Sequence, residues 1–190
     1  VVHVDPVGEY ADYAKMPKAD LVLVTHDHAD HLDAAAIAAV RKPGTEVVLS
    51  AKGAAKVKGT VMANGEQRTF AGIAVEAVGA YNIRHERAPG KPFHPKGEGN
   101  GYVVTLGGLR IYVAGDTEDT PEMRKLGRID VAFLPMNLPY TMTPEMVADA
   151  ARAFSPKVLY PYHYGDTNPK RLAALLADAK GIEVRIRSLK

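Results

Sequence analysis

Four candidate ligands fall within six residues of this chain. His26, His28, Asp30 and His31 close the run Leu21-Val22-Leu23-Val24-Thr25-His26-Asp27-His28-Ala29-Asp30-His31. An apolar, strand-like stretch ends just before them. In extended backbone, side chains at i and i+2 share a side. His26 and His28 can therefore face one cation together, and Asp30 and His31 can reach a neighbouring ion as the chain turns. Imidazole and carboxylate suit Zn²⁺, Mn²⁺ or Fe²⁺. A lone loop histidine is ordinarily solvated, but three histidines and an aspartate in H-x-H-x-D-H, in a chain with seven histidines, point to metal binding. The chain has no cysteine, which removes thiolate ligands and a disulfide framework and leaves His, Asp and Glu to bind any transition metal.

The elements that must carry these residues are short. Apolar, β-branched runs predict strands at 1–4, 21–25, 46–50, 73–81, 102–106, 109–114, 131–134, 158–161 and 183–189. Gly107-Gly108 reads as a tight hairpin turn between two of them. Helices are predicted at 32–41, 51–57, 121–126, 144–154 and 169–179. The last three open on Thr120-Pro121, Thr143-Pro144 and Asn168-Pro169, where a cap residue precedes a proline whose missing N–H had no helical partner. Leu172, Leu175, Leu176 and Ala179 form an apolar stripe suited to packing on a sheet. Strands with helices between them predict sheets covered on their outer faces. The glycine-rich stretch 84–101 reads as a loop inside a single domain spanning 1–190.

From Asp5 to Gly165 the chain resembles the metallo-β-lactamase-fold hydrolases, and the His26-x-His28-x-Asp30-His31 motif after an apolar strand carries the resemblance. It implies an α/β fold, an αββα sandwich of two mixed β-sheets with helices on the outer faces. It also implies three further ligands in order. Asp116, in a strand ending Gly115-Asp116-Thr117, matches the bridging aspartate. His163, in Tyr160-Pro161-Tyr162-His163-Tyr164-Gly165, matches the final ligand. The third histidine of the first ion is expected at His94, with His85 as the competitor. Asp5, in Val4-Asp5-Pro6, resembles the family's supporting aspartate, a role in which an outer acceptor fixes a ligand's tautomer. A plain Asx-Pro turn is the alternative there. His3 is expected to be structural. His28 stands where the oxygen-reducing flavodiiron branch carries Glu. The Gly115-Asp116-Thr117-Glu118 and Leu134-Pro135-Met136-Asn137 segments look most like the small branch that includes the ascorbate-phosphate lactonases.

The implied centre holds two divalent ions, Zn²⁺ first and Mn²⁺ second. His26, His28 and His94 would hold one, and Asp30, His31 and His163 the other, with Asp116 between them. A metal-bridging hydroxide would attack a lactone, ester, amide or phosphoester, with Asp30 and Asp116 as the catalytic carboxylates. Asn137, Tyr140 and His85 are candidate substrate contacts; a capping Asn and a packed Tyr are the plainer reading of the 135–140 loop. Arg84, His85, Arg87, Lys91 and Lys96 make 84–101 basic, either to attract an anionic group or as an ordinary solvated loop. Two other function classes remain open on the same residues: a nuclease or cyclic-nucleotide phosphodiesterase, and a non-catalytic metal-stabilised binding domain.

Composition narrows the partners. Hydrophobic residues make up 46% and charged residues 24%, values of a chain that buries a real core. With 24 basic and 22 acidic side chains the net charge is +2, too small to make nucleic acid or an anionic membrane the expected partner. No apolar run approaches the roughly 20 residues of a membrane span. The expected partner is a small molecule, in a cytoplasmic protein that forms a homo-oligomer. The chain opens on Val1, inside a strand pattern and without a signal-peptide pattern, as a processed or trimmed start would.

Overall fold

A computed structural model describes residues 1–189. The smaller sheet runs parallel throughout, in the order β1 (Val2–Val4), β2 (Leu21–Leu23), β3 (Glu46–Leu49) and β4 (Thr60–Val61). Next come β5 (Gln67–Phe70) and β6 (Ile73–Ala80), then a separate hairpin of β7 (Glu86–Ala88) and β8 (Lys91–Pro92). β9 (Gly99–Leu106), β10 (Leu109–Val113), β11 (Val131–Pro135), β12 (Val158–Tyr162) and β13 (Glu183–Val184) follow. The larger sheet is mixed, in the order β13-β12-β11-β10-β9-β6-β5. Helices α1 (Ala34–Val40), α2 (Ala51–Ala54), α3 (Pro144–Phe154) and α4 (Pro169–Leu175) complete the fold.

The period of two along each strand builds the layers. Leu21, Leu23 and Val48 meet Tyr102 and Val104 between the sheets. Val22, Val24, Val47 and Leu49 point the other way, onto Leu32, Ile37 and Val40 of the α1 region. On the far side, Val103, Tyr112, Ala132 and Leu134 pack against Val147 and Phe154 of α3 and Leu172 of α4. The result is the helix–sheet–sheet–helix sandwich expected from the sequence. β2 is apolar at every position because both of its faces are covered. Truncating a fully buried side chain such as Ile37 to Ala should cost about 2–5 kcal/mol.

α3 begins and ends as predicted, because Thr143 Oγ1 accepts from the Met146 N–H and left-handed Ser155 ends it. The predicted helix at 121–126 is only a 3-10 turn, Met123–Lys125, with Thr120 Oγ1 accepting the Met123 N–H and Gly127 turning the chain away. The predicted strand at 102–106 starts three residues earlier, at Gly99. A Cβ on Gly101 would lie 2.6 Å from the Ala114 carbonyl oxygen, so this central strand needs glycine where propensity disfavours it. Opposite a four-stranded partner, the seven-stranded sheet leaves Ile111, Val113, Phe133 and Tyr162 lining an apolar groove beside Val2 and Val4. No helix among the described residues is long and apolar enough to cross a membrane.

Candidate metal centre

The 26–31 turn leaves the end of β2 at the rim of the smaller sheet, and Asp5 ties it down from β1. Asp5 Oδ1 accepts from the Thr25 N–H at 2.7 Å, and its Oδ2 accepts from Thr25 Oγ1 at 2.6 Å and from His31 Nδ1 at 2.8 Å. Thr25 Oγ1, its proton spent on Asp5, can only accept from His26 Nδ1, 3.1 Å away. Asp5 sits at φ +46°, a left-handed conformation costing about 1–3 kcal/mol in a non-glycine residue. Its backbone N–H is anchored to the Leu23 carbonyl at 2.9 Å.

His94 is fixed by a different partner. Asn82 Oδ1 accepts from both its backbone N–H and its Nδ1, each at 2.8 Å. Asn82 Nδ2 donates to the Tyr140 carbonyl at 2.9 Å, and to Glu118 Oε1 at 3.3 Å, so the amide orientation is set by acceptors on its other side. In His26, His31 and His94 alike, Nδ1 donates to a fixed acceptor, which aims Nε2 into the cluster. Sequence reasoning missed Asn82 and Glu118. A buried Asn carries no motif, and only its pairing with a residue twelve positions on reveals it.

Asp116 stands at the middle. Its Oδ1 is 3.4 Å from His31 Nε2, and its Oδ2 is 3.4 Å from both His94 Nε2 and His163 Nε2. Asp30 Oδ2 lies 3.6 Å from His163 Nε2 and 3.7 Å from His31 Nε2. Gly115 allows this placement: at φ +66°, its missing Cβ would fall 2.9 Å from Thr25 Cβ. His163 is also left-handed, at φ +43°, and its N–H donates to the Leu189 carbonyl at 2.7 Å.

Three groups of donor atoms result: His26, His28 and His94; His26, His31 and Asp116; and Asp30, His31 and His163, each with its atoms within 4.8 Å of one another. Two ligands of a tetrahedral Zn²⁺ at 2.0–2.1 Å stand about 3.3 Å apart, close to the spacings around Asp116. His26 Nε2, His31 Nε2, His94 Nε2 and Asp116 Oδ1 are buried with no hydrogen-bond partner. Orphaned buried polar atoms are costly, so a cation shared among them accounts for what hydrogen bonding does not. The donor set fits a divalent ion.

Electrostatics agree. Burial, then the nearby His31, pulls His26 well below the ordinary histidine range. Burial likewise lowers His94, to about 4, despite Asp116. Burial also disfavours charge on His31, but Asp116 and Asp5 override it and hold that ring up at about 9. Burial works against the Asp116 charge too, yet His163, His31 and His26 keep its carboxyl far below the usual range. In the metal-free protein a proton on His31 therefore supplies part of the positive charge this cluster calls for.

The cavity over the cluster holds about 460 Å³ and is lined by Asp30, His94, Asp116, His163, Asn137 and Tyr140 among others. Asn137 and Tyr140, the expected substrate contacts, line this cavity. His85 does not: it belongs to none of the donor groups and does not line the cavity. Its Nδ1 lies 2.6 Å from Glu118 Oε1, close but misaligned for a hydrogen bond. Glu118 is fully buried and accepts the backbone N–H groups of Ile83, Arg84 and His85. Burial opposes its charge, but those donors hold it below the usual carboxylate range. His85 follows that anchored turn, outside the donor groups and the cavity lining, which corrects its expected place as a substrate contact and leaves His94 rather than the competitor His85 beside the cluster. His3 is structural, its Nε2 2.9 Å from the Pro17 carbonyl.

Known proteins share this arrangement of chain. The profile of the beta-lactamase superfamily domain matches residues 1–163. The UPF0173 metal-dependent hydrolase of Symbiobacterium thermophilum is 38% identical over 179 residues, covering 87% of this chain and 73% of the relative. A crystal structure from Parabacteroides distasonis ATCC 8503 is 53% identical, superposes with a TM-score of 0.94, and covers all of this chain and 85% of that one. The metallo hydrolase Igni18 from Ignicoccus hospitalis, at 24% identity, shares the fold with a TM-score of 0.72 over 90% of this chain and 77% of its own.

Proposed function

The chain belongs to the beta-lactamase superfamily, in its UPF0173 group, and from that membership we propose that it is a dinuclear metal-dependent hydrolase of small molecules. The observation that carries the proposal is the convergence of orphaned imidazole nitrogens on Asp116 at the floor of an open cavity. His26, His28 and His94 would hold one ion, and Asp30, His31 and His163 the other, with Asp116 between the two sets. Zn²⁺ suits these donors best and Mn²⁺ second. When bound, such a pair supplies Lewis acidity and a water acidified toward neutrality.

The residues do the rest. Asp5, Thr25 and Asn82 accept from the Nδ1 of three imidazoles and so aim each Nε2 at the cluster, and His31 would give up its Nε2 proton when a cation arrives. Asp116 keeps its charge despite burial, balancing the cationic centre. Asp30 has a side chain 43% exposed at the cavity wall, and its second oxygen is left to accept a hydrogen bond from the attacking water and orient it. Asn137 and Tyr140, which line the same cavity, contact the substrate. Among the described residues, no nucleophilic Ser or Lys lines the cavity, so attack by water needs no covalent intermediate.

Metal analysis together with hydrolysis of a lactone, an ester, an amide and bis-(p-nitrophenyl) phosphate tests this reading. Retained metal and chelator-sensitive turnover of at least one substrate are expected. No metal after purification at neutral pH, and no turnover with added Zn²⁺ or Mn²⁺, would overturn it.

A further inference from the structure

Arg87 stands out among the cations of the 84–101 segment. Lys96 is neutralised by Glu122 at 3.1 Å and lies over the Tyr81 ring, and Lys91 does not line the cavity. Arg87 does line it, and among the described residues no carboxylate pairs with its guanidinium. The group is nonetheless held in place. One Nη2 donates to the Phe93 carbonyl at 2.9 Å, and the guanidinium carbon lies 5.7 Å from the centre of the Phe93 ring. Phe93 in turn meets Tyr140 edge-on, with centroids 5.1 Å apart. The short β7–β8 hairpin and the Phe93 that follows it therefore present a held cation and one aromatic ring on the cavity wall, against the Tyr140 ring of the 135–140 loop.

We propose that Arg87 is the anion-recognition group of this site, and that the substrate is a small hydrolysable molecule carrying a pendant carboxylate or phosphate. This rests on the hydrolase reading above and names its substrate class. A guanidinium held by one nitrogen and by a cation–π contact keeps further N–H donors for an oxyanion, in a fork that matches carboxylate and phosphate. The floor works in the same direction. Two divalent ions set against Asp30 and Asp116 leave a net positive charge, so an anionic substrate is drawn in while the Phe93 and Tyr140 rings take its apolar part. No other permanent cation lines the cavity.

The test is binding of benzoate and phenylphosphonate, with benzyl alcohol as the uncharged control, to the metal-containing protein by titration calorimetry. Wild type should bind one or both oxyanions more tightly than the alcohol. Arg87→Ala should weaken that binding about tenfold or more, the worth of hydrogen bonds to a charged group. Arg87→Gln, which keeps a donor for the Phe93 carbonyl, should lose the same affinity with the fold intact. Lys91→Ala should match wild type. Preference for one oxyanion identifies which group the substrate carries. Unchanged oxyanion affinity in both Arg87 variants, or an equal loss in Lys91→Ala, overturns the proposal. Metal content of the same samples separates its failure from failure of the hydrolase reading, because Arg87 touches none of the donor groups.

Discussion

The floor and the rim of the cavity are built on opposite terms. On the floor, His26, His31, His94 and Asp116 are nearly solvent-free, and Asp5, Thr25 and Asn82 fix the three rings. On the rim, Tyr140 is 45% exposed, and Arg87 is held by one carbonyl and one ring. A buried polar network must be satisfied in full or it is costly, so the floor tolerates little change. The rim lies on a two-stranded hairpin and a loop, where substitution is cheap and selectivity can be altered without disturbing the chemistry. With Arg87 and Tyr140 as the proposed substrate contacts, reaction type is separated from substrate choice.

Breaking the floor at its centre should have the largest effect. Asp116→Ala is expected to reduce retained metal and take hydrolysis to background, as measured by metal analysis and turnover. Retained metal with retained turnover would place the chemistry elsewhere. One layer out, Asp5→Ala should weaken metal affinity about 10–100-fold and cost about 1–3 kcal/mol of stability, since Thr25 and His31 lose their acceptor. Asn82→Ala, which frees His94 alone among the candidate ligands, should sit near the lower end of that affinity range and scramble the His94 tautomer seen by nitrogen NMR.

The floor should also write its charges into the pH dependence of the metal-free protein. His31 is raised from 6.5 to about 9, so its contribution is fully present below 6.5 and is lost as pH rises through 9. His94 is lowered to about 4 and His26 lies well below 6.5. The unfolded chain therefore takes up protons there first, and stability falls as pH drops from 6.5 toward 4. From these groups, thermal unfolding of metal-free protein should peak near pH 6.5 and decline by pH 9. Metal-loaded protein should instead gain stability over that range, because bound imidazoles must be neutral. Parallel pH profiles for the two forms would contradict this. The smallest effect belongs to the rim. Tyr140→Ala should raise KM several-fold with little change in kcat, and a collapse of kcat would move Tyr140 into the chemistry.

The floor was more legible in the sequence than the rim, for a physical reason. His26, His28, Asp30 and His31 are close in sequence because one turn presents them all, and strand periodicity already says which can face together. Asp116 and His163 each follow an apolar strand and were placed through the family resemblance. The choice of His94 over His85 lay beyond local pattern, because it is decided by Asn82 and Glu118 in three dimensions. The edge strands β4 and β5 and the β7–β8 hairpin were invisible for another reason: Thr60, Gln67, Arg68 and Glu86 are exposed on short elements, with no apolar period to read. The same exposure hid Arg87 among five basic residues, only one of which lines the cavity.

Anomalous diffraction at a metal absorption edge, from crystals of the metal-loaded protein, tests the central claim most directly. Two peaks about 3.5–4 Å apart are expected, one among His26, His28 and His94 and the other among Asp30, His31 and His163, with Asp116 between them. Peaks elsewhere on the molecule, or none over the 26–31 turn, would contradict it.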